Sequence, residues 1–162
     1  MSERFDIRAA ARGDVAAIHA MVRELAEYEK LTQLCVSTAA QIEQELFGDR
    51  RNAEALIARE AGEPVGFALY FHNYSTFLGR KGLYLEDLFV RPAHRRRGCG
   101  RALLLTVARI AAERGCGRLE WMALDWNEPA LNFYRQLGAI EMSEWRLLRV
   151  TGDALTRLAA LR

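Results

Sequence analysis

The chain has 162 residues, 51% hydrophobic and 27% charged, with 23 basic residues against 21 acidic and a net charge of +2. That length suits one domain with an ordinary apolar core, and the composition excludes disordered, collagenous and fibrous classes. No apolar run reaches the roughly 18 residues that a membrane span needs, and the charged N-terminus lacks the apolar stretch of a secretory signal. A single cytoplasmic domain over residues 1–162, with no membrane partner, is expected.

Phe5 to Ala10 reads as a short strand. Asp14 offers an N-cap to a helix carrying Val15, Ile18, Val22, Leu25 and Ala26 at helical spacing, running to about Lys30. Thr38 to Gln41 forms a capping box for a second helix with Ile42, Leu46 and Phe47, ended by Gly48. Ala53 to Arg59 and Val65 to Phe71 read as a hairpin turning at Glu60-Ala61-Gly62-Glu63. His72 to Gly82 is expected as a loop, and Leu83 to Val90 as a strand stopped by Arg91-Pro92. A loop from Ala93 to Gly100 leads into an apolar helix from about Arg101 to Arg114, with Gly115 as its stop. Leu119 to Leu124 is the next strand. Pro129 to Leu137 is a helix with proline in its first turn and Gly138 at its end. Trp145 to Val150 reads as a strand, with one more strand open near Ile140. Asp153 is expected to cap a terminal helix bearing Leu155, Leu158 and Leu161. This order of hairpin-linked strands beside βαβ units predicts an α/β fold of the α+β kind, a mixed sheet with helices on its faces.

Cys35, Cys99 and Cys116 are odd in number and widely spaced, and His19, His72 and His94 are scattered. Neither a disulfide framework nor a metal site is expected from such spacing. Cys99 and Cys116 read as small packing residues.

Arg91, Arg95, Arg96, Arg97 and Arg101 fall within eleven residues. One arginine-rich loop is not the basic face of a nucleic-acid binder. Its core, Arg95-Arg96-Arg97-Gly98-Cys99-Gly100, joins a strand to a helix. A helix N-terminus presents unpaired N–H groups and partial positive charge to an anion. Gly98 and Gly100 let the backbone approach a phosphate, and arginines add charge-assisted bonds. The pattern is neither a nucleotide-hydrolase loop nor a dinucleotide-binding G-x-G-x-x-G. A solvated basic turn is the competing reading; the placement between strand and apolar helix favours phosphate.

Glu86 and Asp87 stand side by side in an apolar strand, where an unpaired buried acid is costly. Adjacent strand residues point to opposite faces unless a bulge intervenes. A solvated edge strand is the alternative. Tyr134 reads either as a buried aromatic beside Phe133 or as a proton donor.

The segments LYLEDLFV, RPAHRRRGCGRALL and LDWNEPALNFYRQLGA resemble the GNAT acetyltransferase superfamily. They are most similar to its diamine acetyltransferase branch, which includes spermidine/spermine and thialysine acetyltransferases. The similarity runs from FDIRAA to EWRLLRV and includes RELAEYEK in the first helix. It implies a central, mostly antiparallel mixed sheet with helices on both faces, acetyl-CoA as co-substrate, and a homodimer. On the matching positions, it implies pyrophosphate on the backbone from about Arg96 to Arg101, with Arg95 opening the motif and Arg97, Gly98, Cys99 and Gly100 within it. The pantetheine arm would pair with Leu88, Phe89 and Val90, and Asn127 would contact the cofactor. Tyr134 would be the general acid and also touch the cofactor. Glu86 would be the base, acting through water, or the group that holds that water. Asp87 is expected to bind either a substrate ammonium or a structural partner. Tyr28 and Glu29 match amine-pocket positions, as do Glu144 and Trp145 in a shortened segment. Ser75 and Phe77 stand where the polyamine enzymes have an acid and a tryptophan, which points to a smaller amine.

An ammonium with a pKa of about 10 must lose its proton before it attacks a thioester, and a departing thiolate benefits from gaining one. No Ser-His-Asp or Cys-His constellation is indicated. Direct transfer in a ternary complex, from acetyl-CoA to a thialysine or lysine analogue or a short diamine or polyamine, is the expected activity. Acetylation of protein lysines or N-termini, or a non-catalytic acetyl-CoA-binding module, are the alternatives.

Overall fold

The computed structural model describes residues 4–161. The chain divides into two compact units, residues 1–124 and 125–162.

The first unit holds strands β1 (Asp6–Ala9), β2 (Glu54–Glu60), β3 (Glu63–Ser75), β4 (Arg80–Val90) and β5 (Leu119–Trp121), with helices α1 (Val15–Tyr28), α2 (Ala39–Phe47) and α3 (Cys99–Glu113). The strands lie in sequence order in one mixed sheet, antiparallel from β1 to β4 and parallel between β4 and β5. The β2–β3 turn has Ala61 at φ 50° and Gly62 at φ 86°. Two left-handed residues in a two-residue loop match the twist of a tight hairpin.

Alternation in the strands sorts the core onto two faces. Ile57, Phe67 and Phe89 form one cross-strand row, and with Ala55 they pack against Ile18 and Met21 of α1 and Leu46 of α2. On the opposite face Glu54 pairs with Arg114, just past the end of α3. Helices therefore cover both faces, as expected. The capping box of α2 is present, with Thr38 Oγ1 accepting from the Gln41 N–H.

Asp14 sits at the N-cap position of α1, but its side chain does not cap that helix. Its buried carboxylate accepts from the Ala11 N–H and from Arg8 and Arg59. Burial works to raise this carboxyl, and the hydrogen bonds from Ala11, Arg59 and Arg8 outweigh it and hold the group below its usual range. Asp14→Asn should lower stability by about 3 kcal/mol in urea unfolding, because it leaves two guanidiniums facing a neutral group. The Asp14 contribution is fully present above the ordinary Asp pKa of about 3.9 and is lost as pH falls through the lowered folded value.

Several boundaries differ from expectation. The segment from His72 to Gly82 is not a loop: β3 and β4 continue through Asn73↔Gly82, Tyr74↔Lys81 and Ser75↔Arg80, leaving only residues 76–79 as the turn. The backbone ladder carries the hairpin beyond the apolar run that marks it in sequence. Helix α3 starts at Cys99, two residues early, and β5 ends at Trp121 because only Leu119–Trp121 pair with β4.

The second unit holds α4 (Glu128–Gln136) and α5 (Gly152–Ala159). Arg135 binds Glu128 and Glu141, tying the start of α4 to the segment after it. Neither Trp145–Val150 nor the region of Ile140 forms a strand. A strand needs a neighbour for its backbone groups, and among the described residues of this unit none is present. Helix α5 begins at Gly152 with Thr151 at the N-cap position, so Asp153 lies in the first turn instead of capping it.

Candidate active site

The sequence-predicted phosphate loop leaves β4 at Val90, makes a 3-10 turn at Pro92–His94 and enters α3 at Cys99. Arg96 has φ 59° and Gly98 has φ 90°. Left-handed residues in such a turn aim successive N–H groups inward as an anion-binding nest, continued by the first free N–H groups of α3.

The loop arginines divide in a way the motif does not reveal. Arg95 donates from Nε to the Val90 carbonyl at 2.7 Å, and its guanidinium lies 4.5 Å from the centre of the Tyr28 ring. Arg97 is bound to Glu60, which also contacts His94 Nδ1 at 2.6 Å and Arg4 Nε at 2.7 Å. Arg96 and Arg101 are exposed. The backbone and two exposed arginines, rather than all five arginine side chains, are what this loop offers an anion. Burial, with Glu60 nearby, pushes the Cys99 thiol up to about 11. That thiol is a packing group, not a nucleophile.

Leu88, Phe89 and Val90 pair with Ala68, Phe67 and Gly66 of β3 on one side. On the other side β5 accompanies β4 only along Leu83–Leu85. From Glu86 onward, among the described residues, that edge of β4 has no strand beside it in the sheet. An open edge can pair with an extended chain that carries amides.

The edge opens at a β-bulge. Asp87 pairs with Leu69 and Leu85 with Tyr70, so Glu86 is the extra residue. Without the bulge, Leu85 and Asp87 would share a face. With it, Leu85 is buried opposite Tyr70, while Asp87 joins the row Ala55–Leu69–Asp87 beside the core row Ile57–Phe67–Phe89. Glu86 and Asp87 then both line one cavity of about 560 Å³ between α1, α2 and the sheet. A second cavity of about 440 Å³ shares Val22, Ser37, Gln41 and Asp87 with it and extends to Glu29. Burial, reinforced by Glu86 and Glu29, raises the half-buried Asp87 carboxyl to about 7. Burial also raises Glu29. Two cavities meeting at a carboxyl that titrates near neutrality can hold an ammonium and take its proton.

Of the other expected amine-pocket residues, Tyr28 lies under Arg95 and not in either cavity wall. Ser75 is buried and its Oγ accepts from the Leu78 N–H, while Phe77 at the hairpin tip is 96% exposed; neither lines a cavity. In the second unit, Asn127 occupies the N-cap position of α4. Tyr134 is seven residues on, which brings both to one side of the helix. The Phe133 and Tyr134 ring centres are 5.2 Å apart. Glu144 and Trp145 are exposed in a segment without regular structure. Sequence reasoning missed Glu45, Asn52 and His72 in the first cavity and Glu60 behind the loop. The only signal for Glu45 is its place one turn after Gln41, and that becomes meaningful only once α2 is docked. Among the described residues no group of three or more His, Cys, Asp or Glu could hold a metal, and no helix is long and apolar enough to cross a membrane.

Comparison with known proteins identifies the family. Residues 18–139 match the model of the acetyltransferase (GNAT) family. A thialysine N-epsilon-acetyltransferase of Bos taurus is 38% identical over 164 residues, covering 94% of this chain and 96% of the relative. An L-ornithine N5-acetyltransferase, NATA1, of Arabidopsis thaliana is 34% identical over 200 residues, covering 96% and 88%. Among solved structures, the V. cholerae integron cassette protein VCH_CASS6 superposes with a TM-score of 0.83 at 25% identity, over 99% of this chain and all of that one. The strand edge, the glycine-containing loop and the matched relatives lead to one conclusion: the chain belongs to the GNAT family of N-acetyltransferases, on its diamine acetyltransferase branch.

Proposed function

We propose that the whole chain, residues 1–162, is one acetyltransferase domain that acetylates the primary amine of a small molecule, a thialysine or lysine analogue or a short diamine, by direct attack in a ternary complex. The observation that carries this reading is the pair of adjoining cavities meeting at Asp87, with Glu86, Glu45 and Glu29 in their walls and, among the described residues, no arginine or lysine. Such a lining favours a cation and disfavours an anion. The thialysine and ornithine acetyltransferases at 38% and 34% identity support the same class of acceptor.

Acetyl-CoA supplies the activated acyl group. The open β4 edge at Leu88, Phe89 and Val90 fits the amides of its pantetheine arm, and the nest from Arg95 to Arg101 fits its pyrophosphate, with Asn127 as a further contact. Asp87 accepts the ammonium. Its carboxyl, at about 7, matches the pH at which it must take a proton. That value favours Asp87 over Glu86 for the proton step, with Glu86 passing the proton to water at the cavity mouth. The Tyr134 phenol gives its proton to the departing sulfur. Glu29 borders the amine site, and Tyr28 braces it through Arg95. Glu144 and Trp145 are further candidates for the acceptor's contacts, and a cytoplasmic homodimer completes the proposal.

Coenzyme A release from acetyl-CoA, measured over thialysine, lysine, ornithine, short diamines, spermidine, spermine and a lysine peptide, tests this reading. Turnover is expected with the small amines and not with the peptide. Turnover of the peptide alone would replace it with a protein acetyltransferase, and acetyl-CoA binding without turnover would favour a non-catalytic module.

A further inference from the structure

Among the described residues, three that are not glycine have positive φ: Lys30 at 60°, Ala61 at 50° and Arg96 at 59°. Lys30 follows the end of α1 and Ala61 is in the tight β2–β3 turn, places where such a conformation is ordinary. Arg96 is in neither. A left-handed residue with a side chain costs free energy and persists only where its surroundings over-determine it. The Arg96 side chain is exposed, and the residues that flank it supply the constraint.

Glu60 holds both flanks. Its Oε2 accepts from His94 Nδ1 at 2.6 Å, and its Oε1 accepts from Arg97. An ionised carboxylate only accepts, so Nδ1 carries the proton. One carboxylate thus closes residues 94–97 into a bracket around Arg95 and Arg96. Arg95 is fixed separately, through the Val90 carbonyl at 2.7 Å. The support is itself rigid. Glu60 ends β2 and pairs with Glu63 across the hairpin turn. Its neighbour Arg59 donates to the Gly62 carbonyl and to the buried Asp14. The Glu60 side chain is only 17% exposed, which separates it from an ordinary solvated ion pair. Charge alone disfavours an acid here. A carboxylate behind an anion site repels the anion, and Glu60 is near enough to the start of α3 for its charge to act on the Cys99 thiol. What it contributes is geometry.

We propose that Glu60 is a positioning residue of the cofactor loop: by holding His94 and Arg97 together it fixes Arg96 in the turn that aims the loop's N–H groups at a pyrophosphate. The assignment rests on the reading of this loop as the acetyl-CoA site and deepens it by naming a residue, outside the glycine motif, that shapes the nest. Arg97 then serves the anion through its backbone, with its guanidinium taken up by Glu60.

Binding of CoA and of dephospho-CoA, measured by calorimetry without an acceptor, tests this. Dephospho-CoA keeps the pyrophosphate and lacks the 3′-phosphate. Glu60→Gln should weaken both by about tenfold, because the charge-assisted bonds that hold the turn are lost. In steady-state kinetics that loss should appear in KM for acetyl-CoA and not in kcat. Glu60→Asp keeps the charge and should restore part of the affinity. Arg4→Ala removes the third cation on Glu60, which lies outside the loop, and should change affinity by less than about twofold. His94→Ala opens the same bracket from the loop side and should weaken both ligands severalfold; it carries the test if Glu60→Gln does not fold. Unchanged or tighter binding in Glu60→Gln would overturn the proposal, since the acid would then contribute only its repulsive charge. So would a loss confined to CoA, which would move the effect to the 3′-phosphate, or a loss in kcat with KM unchanged. If wild type binds neither ligand, the cofactor reading falls together with the proposal.

Discussion

Asp87→Asn is expected to lower kcat/KM for the amine by about a thousandfold, the range lost when a positioned proton acceptor is removed. Asparagine keeps the size and the cavity but cannot take a proton. In wild type, kcat/KM should rise with pH along a limb centred near 7, because the carboxyl raised to about 7 must be ionised to act. That limb should be absent from the residual activity of the variant. Stability should move the other way. The folded Asp87 carboxyl lies at about 7 and an unfolded one at about 3.9. The protonated form therefore favours the fold at low pH, and this contribution is lost as pH rises through 7. The variant lacks that loss, so at pH 8 its melting temperature should exceed that of wild type, with the advantage gone at pH 3. An activity loss under threefold with the limb retained would remove Asp87 from the proton step and return it to Glu86.

Tyr134→Phe is expected to reduce kcat by about a hundredfold, the lower end of the range for a general acid. The substitution keeps the ring beside Phe133 and removes only the hydroxyl. The sulfur would then leave as an unprotonated thiolate, and the penalty should grow when the acceptor is a weaker nucleophile. Acetyl-CoA affinity, measured by calorimetry, should change by only about a few-fold, since one neutral hydrogen bond contributes little net binding. Full activity in this variant would exclude the phenol from the chemistry. A large loss of acetyl-CoA affinity with kcat intact would make it a binding group instead.

Much of the chain could be read from local rules. The α2 capping box, the Ala61-Gly62 hairpin and the strand–loop–helix from Leu83 onward are written in neighbouring residues, because caps, tight turns and apolar periodicity act over a few positions. So is the family, through LYLEDLFV, the R-x-x-G-x-G loop and NEPALNFY. Local rules failed where a distant partner decides. The Trp145–Val150 stretch has strand composition but, among the described residues of its unit, no strand beside it, and β3 and β4 run past their apolar stretch because each supplies the other's hydrogen bonds.

The site shows the same division. The sequence by itself determined the residue types: adjacent acids in a strand, glycines before an apolar helix, an asparagine and a tyrosine seven positions apart. Only the tertiary structure decided what they face. The bulge at Glu86 depends on the register of β4 against β3 and turns both acids into one cavity. Arg95 and Arg97 are taken up by Tyr28 and Glu60, residues far away in sequence. Glu45 became a candidate only when α2 packed over the sheet. Burial, and with it the titration of Asp87 near neutrality, is a property of packed neighbours, and no spacing along the chain encodes it.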